Sequence, residues 1–270
     1  MLGQDVVRAA RAANHEVVAL AREELDVAHP RAVHETIGRE RPNAVVNCAA
    51  WTDVDGAEAD ERAATDVNGY AAGDVAEAAA AVGAAIVHPS TDYVFDGESA
   101  RPYVESDPVN PVNAYGRSKL AGEHSVAAAN PRHFVVRSSW LFGAGGRNFV
   151  ETMLGLASSG GPVLVVRDQV GCPTFTGHLA EALVRLLDGE SYGLHHIAAA
   201  GECSWFEFAN EIFDRAGVET RAMSCTTDEF PRPARRPAYS VLRTERDYGF
   251  ELPPWQDGLA SYLAERALAR

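Results

Sequence analysis

A doubly wound α/β fold, with a parallel sheet covered by helices on both faces and a smaller C-terminal substrate lobe, is the architecture this sequence predicts. Three observations carry the prediction. Short β-rich runs alternate with longer helical periods over the first two-thirds of the chain, the rhythm of crossover units in a parallel sheet. The rhythm then loosens, as expected where a second lobe is interleaved with the last sheet elements. A length of 270 residues with 46% hydrophobic content suffices for one large core and a smaller one.

In chain order, residues 3–14 carry a helical period and residues 16–21 (EVVALA) a β-rich run. Residues 30–40 read as helix, 44–48 (AVVNC) as strand, 60–82 as one long Ala-rich helix and 84–88 (AAIVH) as strand. A helix over 115–130 and a strand over 134–138 (FVVRS) complete the regular alternation. Later come a helix from 149 to about 157, a strand over 163–166, a helix over 178–187 and a strand over 195–198. Residues 230–237 (FPRPARRP) hold too much proline for helix or central strand. The predicted division is a Rossmann-like dinucleotide-binding domain of residues 1–147 plus 177–199, and a substrate-binding lobe of 148–176 plus 200–270. In such folds ligands gather at the carboxyl ends of the strands.

A dinucleotide-binding unit ordinarily opens with a strand, a glycine-rich turn and a helix whose N-terminus receives the pyrophosphate. Residues 1–5 (MLGQD) fit the tail of that turn, with Gly3 as its last glycine. The expectation is therefore an N-terminally incomplete domain, with roughly a dozen residues upstream supplying the strand and earlier glycines. A degenerate protein with an impaired cofactor site is the alternative.

Composition excludes several classes. A formal charge of −14 disfavours nucleic acid, which is bound by clustered Lys and Arg. No apolar run reaches the roughly eighteen residues of a membrane span, and the N-terminus lacks the blocks of a signal peptide, so a cytoplasmic protein with no membrane partner is expected. Cys48, Cys172, Cys203 and Cys225 lack the pair spacings of zinc sites, so neither metal nor disulfide is inferred. The nine histidines include no HExxH spacing and are read as structural, residues 203–208 (CSWFEF) read as lobe core, and no G-x-S-x-G elbow marks a hydrolase.

Of the 24 basic residues, 23 are Arg and Lys119 is the single Lys. It stands four residues after Tyr115 in residues 113–119 (NAYGRSK), at the start of a helix, so both side chains lie on one face. An ammonium there favours phenolate and lowers a tyrosine pKa from near 10 toward useful acid-base strength. Upstream, Ser90, Thr91 and Asp92 follow directly on a strand, where the Thr91 hydroxyl, helped by Ser90, is placed to hold a substrate carbonyl. A turn that caps its own backbone is the plainer reading of the same residues.

Residues 90–97 (STDYVFDG), 115–119 (YGRSK), 137–143 (RSSWLFG) and 168–174 (DQVGCPT) occur in one order and spacing. Together they resemble the dTDP-4-dehydrorhamnose reductases, of the extended short-chain dehydrogenase/reductase class, over essentially the whole chain from Gly3. The resemblance implies a catalytic triad of Thr91, Tyr115 and Lys119, acting on the C4 keto group of dTDP-4-dehydrorhamnose in nucleotide-sugar biosynthesis. It implies cofactor contacts from Asn47, Cys48, Ala49, Ala50 and nearby Thr52, from Asp26 and Val27 beside the adenine, and from Ser90, Tyr115 and Lys119. Trp140 matches a tryptophan near the sugar, with Asp92 a further substrate contact, and Asn68 matches a helix residue that supports the site.

Arg22, just after the second strand, suits the 2′-phosphate of NADP, so NADPH is favoured and NADH is the alternative, since Glu23 and Glu24 adjoin it. The loop around Gln169 and the Arg235-Arg236 pair are expected to face the cleft, where guanidinium forks suit a diphosphate. Arg243 stands where the family often has an acid, which leaves the nucleotide contacts open. Related epimerases and dehydratases, or a non-catalytic regulatory subunit, are the alternative functions. The oligomeric state stays open, with a homodimer the candidate.

Overall fold

The computed structural model describes residues 1–268. Its centre is a four-stranded parallel sheet in the order Ala44–Val46, Ala85–Thr91, His133–Ser138, Gly193–His196. Side chains alternate across it. Val87, Phe134 and Val136 pack on the helices Leu2–Ala12 and Thr176–Leu186. Ile86 and Val135 face the helices Pro30–Glu40, Ala71–Ala81 and Ala114–Ala129. Each fully buried Phe or Ile contributes on the order of 1.5–3 kcal/mol, so this period of two pins the register.

A separate core holds the second lobe together. Phe142, Met153, Phe175, Phe208, Phe213, Trp255 and Leu259 gather there, between the helices Phe149–Ser158, Trp205–Arg215 and Trp255–Leu268. A parallel pair, Val163–Val166 with Ala222–Cys225, lies beside it. Residues 230–237 take no helix or strand, as their prolines require.

Two expectations are corrected. Residues 16–21 form no strand: Val18 is 57% exposed, and no ladder partner lies beside the segment among the described residues, where Ala44–Val46 is the sheet edge. A β-rich run becomes a strand only by sharing hydrogen bonds with a neighbour. The single helix expected over 60–82 is instead Glu61–Thr65, a π-turn Asp66–Tyr70 and Ala71–Ala81. The wide turn carries Asn68, whose side chain bonds Trp51 and Ser118.

Candidate active site

The helix Ala114–Ala129 is fixed at its first turn. Asn113 caps it by accepting from Gly116 N at 2.7 Å, and its amide donates to the Arg235 carbonyl at 2.7 Å. The Ala114 N–H donates to Glu58 at 2.7 Å. Position 116 must be glycine, because a Cβ there would overlap the Tyr93 carbonyl oxygen. The helix start is thereby pressed against the turn Asp92–Val94, and Tyr115 meets Tyr93 edge to face at 5.8 Å.

Thr91 ends the strand Ala85–Thr91 at the same point. Its hydroxyl donates to Asp92 at 3.1 Å and accepts from Tyr93 N at 3.2 Å, and it stands near enough to the Tyr115 phenol to influence that group's pKa. Lys119, 3% exposed, donates to the Pro89 carbonyl at 2.7 Å. Thr91, Tyr115 and Lys119 are therefore gathered at the carboxyl end of a central strand, where the fold opens to ligands.

Electrostatics corrects one expectation. Burial pushes the Tyr115 phenol up to about 12, with the Thr91 hydroxyl opposing and Asp92 adding to the rise. The lowering expected from Lys119 is not seen, and desolvation of the phenolate sets the direction. Lys119 is itself pushed down to about 8 by burial, against the pull of Glu123 and Cys48. Asp92, 2% exposed, accepts from Ser240 Oγ at 2.5 Å, yet burial raises its carboxyl to about 7.

The residues expected at the cofactor fall on three segments: the start of the helix Leu2–Ala12, the loop 22–27, and the stretch that follows the strand Ala44–Val46. Gly3 lies in the first turn of its helix, where a Cβ would sit 3.4 Å from the Cβ of Cys48. Asn47 is buried and accepts from Ala49 N at 3.2 Å, and beyond it Ala49, Ala50 and Thr52 are exposed. Arg22 is 83% exposed, 3.4 Å from Asp26, which accepts from Ala28 N at 3.0 Å, while Val27 packs on the sheet-side core. Asn68 exchanges hydrogen bonds with the Trp51 backbone at 2.8 and 3.0 Å and donates to Ser118 at 2.9 Å, tying this segment to the Tyr115 helix. Ser90 is spent on Glu123 at 2.5 Å.

The expected substrate residues divide. Trp140 has a left-handed backbone, φ 48°, and its indole lies over Gly171. Gln169 is buried and donates to Thr227 at 2.9 Å. Arg236 pairs with Asp55 at 2.6 Å, as does Arg232 at 2.5 Å, whereas Arg235 stays 70% exposed, 4.0 Å from Glu98. Although burial works the other way, these hydrogen bonds hold the Asp55 carboxyl well below its usual range.

Asp55, Ser240 and Glu58 carry no motif, and only folding brings them here. Trp205 lies in the run read as core, and Phe208 of that run is in the lobe core, but the half-buried Trp205 indole faces Trp140. Glu123 left one trace, its spacing of four from Lys119.

The chain matches the family described as RmlD substrate binding domain over residues 1–268. It is 41% identical to a dTDP-4-dehydrorhamnose reductase of Mycolicibacterium smegmatis, with 98% of this chain and 82% of that protein covered. A crystal structure of a dTDP-4-dehydrorhamnose reductase from Clostridium acetobutylicum superposes with a TM-score of 0.95 at 42% identity, covering 98% of this chain and 96% of that one. Another, from Bacillus anthracis in complex with NADP, gives 0.94 at 35% identity, covering 98% and 95%. Fold, strand-end hydroxyls and a match running over residues 1–268 agree, and the chain belongs to the RmlD substrate binding domain family.

Proposed function

We propose that this protein reduces the C4 keto group of dTDP-4-dehydrorhamnose to dTDP-L-rhamnose with NADPH. The observation that carries the proposal is the convergence of Thr91, Tyr115 and Lys119 at one strand end. Relatives with that reductase name and a neighbour holding NADP support the substrate and cofactor.

The residues present fit the cofactor. Gly3 gives the first helical turn a close approach, Ala49, Ala50 and Thr52 leave exposed backbone at the next strand end, and Arg22 offers an unburied guanidinium for a 2′-phosphate. Asp26 and Val27 would flank the adenine, with Cys48 and Ser90 beside the dinucleotide. A bound dihydronicotinamide would supply a hydride to C4. The chain's own residues hold the carbonyl and manage the proton. Thr91, on turning its hydroxyl proton from Asp92, and Tyr115 donate to the C4 oxygen, and Tyr115, protonated at neutral pH because burial raises its pKa to about 12, transfers its proton there. The phenolate left behind is stabilised by the Lys119 ammonium, which would also hold the nicotinamide ribose.

Trp140, Asp92 and Gln169 would contact the sugar side, and Arg235 with Arg236 the diphosphate. The two cores support a division into a cofactor domain of residues 1–147 plus 177–199 and a substrate lobe of 148–176 plus 200–270. Among the described residues no helix is long and apolar enough to cross a membrane. A cytoplasmic location and a homodimer belong to the same reading, and cell fractionation and sedimentation test them.

The deciding assay mixes the protein with NADPH and dTDP-4-dehydrorhamnose and follows nicotinamide absorbance. One NADPH oxidised per rhamnose formed supports the reading. Sugar conversion without net oxidation would move it to an epimerase or dehydratase, and no conversion by a folded, NADPH-binding protein would overturn it.

A further inference from the structure

Between the elements that carry the catalytic groups lies a buried ion pair to which the reaction assigns no part. Arg137 donates to Glu123 through Nε at 2.9 Å and Nη2 at 2.6 Å, with side-chain exposures of 4% and 6%. The guanidinium stacks over Phe95 at 5.1 Å, and its Nη1 lies 3.4 Å from His196. A buried pair of this kind returns little net stability compared with apolar residues of the same size, so its position calls for another explanation.

That position is specific. Ser90, the residue before Thr91, donates to Glu123 at 2.5 Å. Arg137 is directly opposite Ser90 in the sheet register. Glu123 follows Lys119 by four residues on one helix face. Lys119 in turn donates to the carbonyl of Pro89, so two adjacent bonds strap the strand end to the helix.

Resting on the reductase reading above, we infer that Glu123 is a positioning residue for the reduction: through Ser90 and Arg137 it fixes Thr91 against the helix face bearing Tyr115 and Lys119, and it keeps a negative charge one turn from the Lys119 ammonium.

The charged surroundings fit that role. Facing Lys119 are Glu123 from its own helix, His88 from the central strand and Cys48 from the neighbouring strand end. Burial drives His88 well down and Cys48 up to about 12, so both are neutral near pH 7. Facing Glu123 are Ser90, Arg137 and Lys119, with His196 behind Arg137, its pKa also lowered by burial. Glu123 is thus the one anion among these groups, and a neutral replacement would leave Arg137 and Lys119 opposed.

Because Lys119 is the single lysine of the chain, a protein labelled with carbon-13 at the lysine Cε gives one resonance that reports its titration directly. Glu123→Gln is expected to move that titration to lower pH by about half a unit or more. It should also cut kcat by about tenfold and bring the alkaline limb of the rate profile down with it, while KM for NADPH changes less than about twofold. Ser90→Ala leaves the ion pair intact and severs the strap, so kcat should fall severalfold in a protein that stays folded, with the lysine titration near that of wild type. A folded Glu123→Gln protein with the wild-type titration and kcat would overturn the inference. Should Glu123→Gln not fold, a Ser90→Ala protein with full kcat would overturn it equally. If the wild-type protein shows no turnover, the reductase reading fails, and the lysine resonance still decides the electrostatic role of Glu123.

Discussion

The indoles of Trp140 and Trp205 lie flat against each other, centroids 3.5 Å apart and planes within 4°. Trp140 pays for its place with a left-handed backbone, a conformation costing about 1–3 kcal/mol in a bulky residue. An aromatic pair recovers about 0.5–1.5 kcal/mol, and Gly171 leaves room on the ring that any Cβ would fill.

Trp205→Ala should therefore release Trp140. The expected result is a KM for the keto sugar raised about three- to tenfold, with the NADPH dissociation constant unchanged. Steady-state kinetics and cofactor fluorescence measure the two, and loss of the coupled near-ultraviolet dichroism of the pair would report the unstacking. An unchanged KM would remove Trp140 from the sugar site.

Tyr115→Phe removes the proton donor while leaving the ring against Tyr93. Turnover should fall by about 10²–10⁴-fold with NADPH binding retained. Binding measured by titration beside the absorbance assay separates this from unfolding, and residual activity near wild type would rule Tyr115 out as the acid.

The rate should also fall as pH rises through about 8, where Lys119 loses its proton and the phenolate loses its counter-charge. A kcat profile at saturating substrate tests this. A plateau extending past pH 10 would show that the charge on Lys119 is not needed.

Asp92 binds its proton more tightly folded than unfolded, at about 7 against an ordinary 3.8. Its contribution to stability is full below the unfolded value and is lost as pH rises through about 7. Asp92→Asn keeps a neutral group at the site, so its melting temperature relative to wild type should climb between pH 5 and 8. A constant difference across that range would mean that Asp92 is ionised in the folded protein throughout.

Asp55 binds Arg232 and Arg236 and accepts from the Ala234 N–H at 3.1 Å, which anchors the proline-rich segment to the helix Val54–Ala59. Asp55→Ala should expose the Arg235–Arg236 bond to trypsin and raise KM for the nucleotide sugar, with kcat less affected. Resistance to trypsin equal to wild type would show that the prolines and the bond from Asn113 to the Arg235 carbonyl hold the segment unaided.

Local order in the chain was enough to determine the α/β class, the helices that cover the sheet and the spacing of Tyr115 and Lys119, since period and helix geometry are properties of neighbouring residues, whereas the helices Trp205–Arg215 and Trp255–Leu268 were not read from it. The four ordered motifs likewise pointed to the family. Residues 16–21 and 66–70 escaped that logic. A strand needs a partner in the ladder, and the π-turn exists where Asn68 reaches Trp51 and Ser118. Only the tertiary structure decided the state of the site. The direction of the Tyr115 pKa shift depends on how far burial keeps water from its phenol, and the contacts of Asp55, Glu123, Ser240 and Trp205 join residues far apart in the chain. Desolvation and long-range pairing are set by packing, and no spacing along the chain records them.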